Sequence, residues 1–325
     1  MTSATTGAAR VIALTAGQLM ADAENIIATM GLRRDWANLG VISLAHSYGF
    51  SSLVTPLLLQ GIPLLLANSP LPEAVRRAAL AADAITLPAV PALWRAWHDA
   101  GAIPPNVRLA ISAGAPLPLS LERAIFDARA VKLHNFYGAS ECGGIAYDAS
   151  ALPRCNAACV GAPVRNVEVS VNEDGCLEVR GRAVAETYWP EPQTSLAGGV
   201  YRTSDLADFK DGLVYLCGRA GDLINVAGRK VSPESIERVL LTHPAMRECL
   251  VFGVPSHEAE RSEIIVACVA AESGVTADGL RDFLLTRLPP WQVPREWRLL
   301  ASLEMNGRGK ISRAEWRRRF LEELA

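Results

Sequence analysis

No charge of either sign dominates this chain. Its 32 Lys and Arg stand against 34 Asp and Glu, a formal net charge of -2. That balance offers no long-range attraction for nucleic acid or for an acidic membrane surface. Long apolar runs are missing too. The most apolar stretch, residues 53–67, is broken by Pro56, Gly61 and Pro63 and falls short of the ~20 residues a spanning helix needs. It reads as buried strand and helix ends in a soluble protein. Residues 1–10 lack the basic segment and apolar run of a secretion signal. Seven scattered cysteines form no framework, and their odd count points to reduced thiols in the cytoplasm. Cys155 and Cys159 lie four apart, but no second Cys/His pair sits at zinc-ligand spacing. Internal repeats and low-complexity tracts are absent, as is the Walker pattern Gly-x-x-x-x-Gly-Lys-Ser/Thr.

What remains is a chain of 325 residues, half hydrophobic and one-fifth charged, able to bury a substantial core and long enough for two domains. Thr15 and Gln18 form a capping-box signature ahead of Leu19, Ala23, Ile26, Ile27 and Met30 at helical spacing. Short apolar runs at 41–44, 63–66, 84–87 and 109–112 then alternate with helix-like segments such as 72–82 and 118–129. That alternation predicts an α/β layer with a mainly parallel sheet. From about residue 160 to 217 the texture becomes β-rich, with short alternating strands at 167–171, 177–179 and 213–216. Beyond residue 221, strands at 250–254 and 264–269 mix with helices starting at Ser232, Thr276 and Ser312. Ser232-Pro233-Glu234 reads as a helix start with a capping hydroxyl. The expected division is a large domain over 1–221 and a small, mobile α+β domain over 222–325.

Five segments carry candidate chemistry. The hydroxyl-rich run Thr2 to Arg10 can wrap a polyphosphate with backbone N–H groups while its terminal cation neutralises charge, although a frayed tail has the same composition. Asn135-Phe136-Tyr137-Gly138-Ala139-Ser140-Glu141 places a carboxylate beside a hydroxyl at a glycine-flanked turn, which suits a magnesium ion bridging phosphates; the plain alternative is a turn capped by Glu141. Gly138-x-Ser140-x-Cys142 lacks the final glycine of a hydrolase nucleophile elbow. Tyr201-Arg202-Thr203-Ser204-Asp205 and Gly218-Arg219-Ala220-Gly221-Asp222 offer an acid for ribose hydroxyls and a forked cation, or else a surface salt bridge. In Asn306-Gly307-Arg308-Gly309-Lys310, two glycines put a lysine on a loop able to reach a phosphate. The basic helix after it reads as a solvated face rather than a nucleic-acid site.

The order of these segments resembles the adenylate-forming (AMP-binding) superfamily, which includes acyl-CoA and aryl-CoA synthetases, adenylation domains of peptide synthetases and luciferases. The likeness runs from Thr2 to Arg319 and is most specific over 201–237. It implies a truncated adenylate-forming large domain, without the N-terminal subdomain relatives carry, followed by the small C-terminal domain. It implies ATP-dependent activation of a carboxylic acid to an acyl-adenylate with transfer to a thiol, coenzyme A in preference to a carrier protein. ATP, Mg2+ and CoA are the cofactors it implies.

By the same resemblance Ser3, Thr5, Thr6, Gly7 and Arg10 look like the phosphate loop, with Arg10 where lysine is usual. Gly114, Ala115 and Pro116 resemble the adenine-side loop. Tyr137, next to Gly138, would stack on adenine, Ser140 would contact phosphate and Glu141 would hold magnesium. Asp205 and Arg219 would grip the ribose. Lys310 would stabilise the charge that develops at the α-phosphate. His46 falls in the acyl-pocket gate region, Gly228 and Lys230 on the thiol tunnel, and Gly221 at the hinge. A nucleotide-binding or regulatory module without turnover is the competing reading, and a homo-oligomer or a complementing subunit is compatible with either.

Overall fold

The computed structural model describes residues 10–256, 262–304 and 312–324. The chain divides into two compact units. Described residues of the first lie within Ala9–Thr203 and Ala207–Leu216, those of the second within Ser204–Leu206 and Cys217–Ala325.

The first unit opens with the capping box the sequence announces. The Gln18 amide donates to Thr15 Oγ1 at 3.2 Å and the Thr15 amide donates to Gln18 Oε1 at 2.8 Å, which starts the Ala16–Met30 helix. Gly31, in the left-handed region, ends it. The strands that follow belong to a 12-stranded sheet whose first part is parallel, in the order Leu64–Leu66, Ala37–Gly40, Ile85–Ala89, Val107–Ser112, Leu133–Ala139. Crossover helices Pro72–Ala79, Pro91–Asp99 and Leu119–Arg129 connect them. The period of two along Val107–Ser112 feeds two cores. Leu109 and Ile111 join Ala23, Ile26 and Ile145, while Ala110 joins Leu87, Trp94, Trp97 and Ile125. Past Leu133–Ala139 the sheet turns antiparallel through Gly143–Tyr147 and Cys159–Pro163 into the β-rich region.

Two sequence expectations shift here. The strand expected at 41–44 lies at Ala37–Gly40. Asn38 is accepted inside the sheet because its amide donates to the Ser52 carbonyl at 3.2 Å. Residues 53–67 are only partly buried: Leu58 is 72% and Leu66 60% exposed, since Leu64–Leu66 is the edge strand. Trp94 and Trp97 are fully buried core, their indole N–H groups donating to the carbonyls of Ile111 and Pro70.

In the second unit Met246–Pro255 pairs antiparallel with Glu263–Ala271, which pairs in parallel with Glu296–Leu300. Alternate residues again feed opposite cores, Val251 and Ala267 on one face, Phe252 and Val266 on the other. Helices Pro233–Leu240, Ala277–Leu285 and Arg313–Leu324 pack with them. Thr276 caps its helix through the Gly279 amide. Ser232 occupies the cap position without capping, because its hydroxyl donates to Glu234 Oε2 at 2.8 Å instead. At the start of the last helix, Arg313 binds Asp222, Glu234 and Glu237 at 2.6, 2.8 and 2.9 Å, and its Nε donates to the Val251 carbonyl. Among the described residues no helix is long and apolar enough to cross a membrane.

Candidate active site

The centre of the first unit's site is a turn. Strands Leu133–Ala139 and Gly143–Tyr147 pair antiparallel and leave Ser140, Glu141 and Cys142 between them. A Cβ on Gly138 would lie 2.6 Å from the Gly143 carbonyl oxygen, so only glycine lets the two backbones approach this closely. Gly143, at φ 71°, leaves its side-chain space to Asp22, whose Oδ1 accepts the Gly144 amide at 2.9 Å. Asp22 thereby pins the turn to the first helix. Burial raises its pKa, and hydrogen bonds from Ser51 and Gly144 offset part of the rise.

The side chains the turn presents are held from two sides. Ser140 Oγ lies 2.8 Å from Ser47 Oγ, on the short helical turn Ser47–Gly49 that His46 caps by accepting the Tyr48 amide at Nδ1. His46 itself is exposed. Glu141 is buried, and its Oε1 accepts the Tyr188 hydroxyl at 2.9 Å. Tyr188 also lies under Arg10, whose guanidinium is 5.3 Å from the ring centroid while its Nη1 donates to Gln193 Oε1. Tyr137, half-buried, lies two residues before Ala139 on the same strand. The 114–116 loop is exposed at the carboxyl end of Val107–Ser112, where ligands bind in open α/β sheets. It is anchored just beyond, where Arg154 Nη2 donates to the Leu117 carbonyl at 2.9 Å. Arg154 is held in turn by Glu122, which also binds Lys132, and Lys132 binds Asp148 at 2.7 Å.

In the second unit Arg219 Nε donates to Asp205 Oδ1 at 2.9 Å, with Arg219 nearly half exposed. Gly221 sits in a single 3-10 turn, where an added Cβ would meet nothing within 4 Å; neither positive φ nor crowding requires glycine there. Ala227 and Gly228, at φ 52° and 82°, form the two-residue turn of the Ile224–Val226/Arg229–Val231 hairpin. The Gly228 amide donates to Asn225 Oδ1 at 2.9 Å, and Lys230 is exposed. Ser3, Thr5, Thr6, Gly7 and Lys310 lie outside the described residues.

The donor set suits magnesium carried on a polyphosphate. Among the described residues no group of three or more His, Cys, Asp or Glu could hold a metal by itself. Glu141 supplies one hard carboxylate, beside the Ser140 hydroxyl. Mg2+ in nucleotide sites takes one or two carboxylates and completes its shell with phosphate oxygens and water. The site fits that habit.

Four residues of this arrangement carried no motif. Asp22 had a readable signal, an acid on the helix face defined by Leu19, Ala23 and Ile26. Ser47, Arg154 and Tyr188 had none, because each acts across a sequence gap of 30 residues or more.

The family model described as AMP-binding enzyme matches residues 1–189, and that of the AMP-binding enzyme C-terminal domain matches residues 235–310. A feruloyl-CoA synthase from Amycolatopsis sp is 28% identical, with 98% of this chain and 69% of that protein aligned. A probable 2-succinylbenzoate–CoA ligase from Mycobacterium tuberculosis is 29% identical over 99% of this chain and 84% of its own length. The o-succinylbenzoate CoA synthetase of Bacillus subtilis, solved with ATP and magnesium ion, superimposes with a TM-score of 0.84 at 23% identity, covering 97% of this chain and 68% of that one.

Proposed function

Because this chain belongs to the AMP-binding enzyme family, we propose that it activates a carboxylic acid with ATP and passes the acyl group to the thiol of coenzyme A. The observation that carries the reading is the glycine-cinched turn of Ser140 and Glu141, with its buried carboxylate fixed by Tyr188. Support comes also from relatives named as CoA ligases and from the Asp205–Arg219 pair.

The chemistry divides into two halves. A carboxylate oxygen of the acid attacks the α-phosphorus; a new P–O bond forms, the bond to the β-phosphate oxygen breaks, and pyrophosphate leaves. The thiol sulfur then attacks the acyl carbon, the mixed anhydride opens, AMP leaves, and the thiol proton passes to solvent. In this reading Glu141 and Ser140 hold the phosphate end with the ion, Asp205 and Arg219 receive the ribose, and Tyr137 and the 114–116 loop receive the adenine. Bound Mg2+ neutralises phosphate charge and so favours departure of pyrophosphate. Lys310 stabilises the charge at the α-phosphate as the acid attacks. The small domain over 222–325 carries both Lys310 and the Gly228 turn, and presents the first for adenylation and the second for thiol transfer. Seven free cysteines support a reducing, cytoplasmic setting.

Acid-dependent exchange of labelled pyrophosphate into ATP tests the proposal. Exchange with at least one aryl or acyl acid, followed by CoA-dependent release of AMP, is the expected outcome. ATP binding without exchange across a broad acid panel would leave a nucleotide-binding module instead.

A further inference from the structure

The carboxylate assigned to the metal-bearing phosphate is not free to choose its own orientation. Its Oε1 accepts the Tyr188 hydroxyl at 2.9 Å, while the backbone carbonyl of Glu141 accepts the Ala185 amide at 2.8 Å. Both partners come from one segment, 185–188. Among the described residues Glu141 Oε2 accepts no hydrogen bond. One oxygen is thus tied inside the protein and the other is left for a ligand.

Tyr188 is itself fixed on three sides. It lies on the Thr187–Trp189 strand, which pairs antiparallel with Val11–Ala13, Ile12 opposite Tyr188. The Glu186 amide extends that pairing by donating to the Ala13 carbonyl at 3.0 Å. Arg10, the residue before the strand, covers the ring. The phenol oxygen also takes part in a hydrogen bond with Tyr201, from the segment leading to Asp205. The side chain is 4% exposed. A carboxylate oxygen can only accept, so the phenol O–H is the donor of this bond.

We propose that Tyr188 is a positioning residue for the divalent cation on ATP: its hydroxyl holds one oxygen of Glu141 and aims the other at the ion. The inference rests on the reading of Glu141 as the cation's carboxylate. A carboxylate free to rotate must lose that freedom when it binds an ion. One already held by a buried donor does not, and removing such an outer partner lowers metal affinity. Tyr188 also joins segments far apart in sequence, since Arg10, Glu141 and Tyr201 all meet its ring or its oxygen. Seating of the phosphate end and setting of the metal carboxylate therefore share one side chain.

The test uses the full chain and Mn2+ as a paramagnetic probe. Binding of Mn2+·ATP is read from water-proton relaxation with no acid present, so that no turnover is needed. Tyr188→Phe keeps the ring under Arg10 and removes only the hydroxyl. It should weaken Mn2+·ATP binding by about tenfold, leave metal-free ATP binding within about twofold, and raise the Mg2+ concentration needed for half-maximal pyrophosphate exchange. In a Glu141→Gln background the same substitution should have little further effect, because the hydroxyl acts through that carboxylate. If Tyr188→Phe does not fold, Tyr201→Phe provides the second variant, with a smaller shift in the same direction. Equal Mn2+·ATP binding by folded Tyr188→Phe and wild type, or a full-size effect persisting in Glu141→Gln, overturns this inference alone. Wild-type binding of Mn2+·ATP without exchange for any acid overturns the ligase reading alone.

Discussion

Asp22 shows how much one side chain can decide here. It is a buried acid whose Oδ1 fills the space that Gly143 leaves and accepts the amide of Gly144. Because burial raises its folded pKa, the folded state holds the proton more tightly than the unfolded one. Stability attributable to Asp22 is therefore greatest at low pH and falls as pH rises through the folded pKa. Asp22→Asn keeps an acceptor for Gly144 and removes the buried charge. Urea unfolding at pH 7 should show it more stable than wild type by roughly 1 kcal/mol, with the difference shrinking toward pH 4. Gly143→Ala tests the same contact from the other side. Its Cβ would sit 2.0 Å from Asp22 Oδ1 at a φ of 71°, so a loss of about 3 kcal/mol is expected by the same assay, together with loss of pyrophosphate exchange. A neutral Gly143→Ala variant would mean the turn is not held as described.

Among the elements, two ionic clusters hold the pieces that carry chemistry. Arg313 joins the first turn of the last helix to Asp222, next to Gly221, and to Glu234 and Glu237 on the Pro233–Leu240 helix. All four side chains are no more than 22% exposed. Removing the cation strands three carboxylates, so Arg313→Met should cost about 3–5 kcal/mol in thermal or urea unfolding. A surface pair such as Arg33–Asp35, at least 57% exposed on both sides, is screened by solvent, and breaking it should leave the unfolding midpoint close to that of wild type. In the first unit, Glu122, Lys132, Asp148 and Arg154 support the carbonyl that follows the 114–116 loop. Burial would raise the pKa of Asp148, but hydrogen bonds from Lys132 and Ser150 outweigh it and the net shift is downward. Its contribution to stability is present above the ordinary carboxyl range and is lost as pH falls below about 4 toward the depressed folded value. The sign is opposite to that of Asp22. An Asp148→Asn variant should therefore flatten the acid limb of the stability–pH curve, as followed by circular dichroism.

At the level of the whole molecule, each unit has cores of its own, 109–111 with the first helix and the crossover helices in one, 250–269 with the Arg313–Leu324 helix in the other. Residues 217–325 expressed alone should therefore unfold cooperatively in urea; a non-cooperative, m-value-poor transition would show that the small unit depends on the large one. Lys310→Ala should depress pyrophosphate exchange by about 100-fold or more while CoA transfer from a supplied acyl-adenylate stays within a few-fold. Equal losses in both half-reactions would remove the role proposed for this lysine.

Much of this was legible in the linear sequence wherever the signal is local. The capping box at Thr15 and Gln18, the parallel strands separated by crossover helices and the β-rich region follow from backbone chemistry within a few residues. The ordered segments carrying Glu141, Asp205 and Arg219 were readable as segments because each keeps its own short pattern. Strand edges and partners were not. The strand at Ala37–Gly40 contains an asparagine that only the Ser52 carbonyl makes acceptable, and Ser232 has a closer acceptor in Glu234 than the helix it was expected to cap. The order of chemical groups was written in the residues themselves, whereas the holding of Glu141 by Tyr188, of Ser140 by Ser47 and of the 114–116 loop by Arg154 was decided by tertiary structure. Those contacts join groups 37 to 93 residues apart, and nothing in a local pattern fixes which distant donor meets which acceptor once the chain is packed.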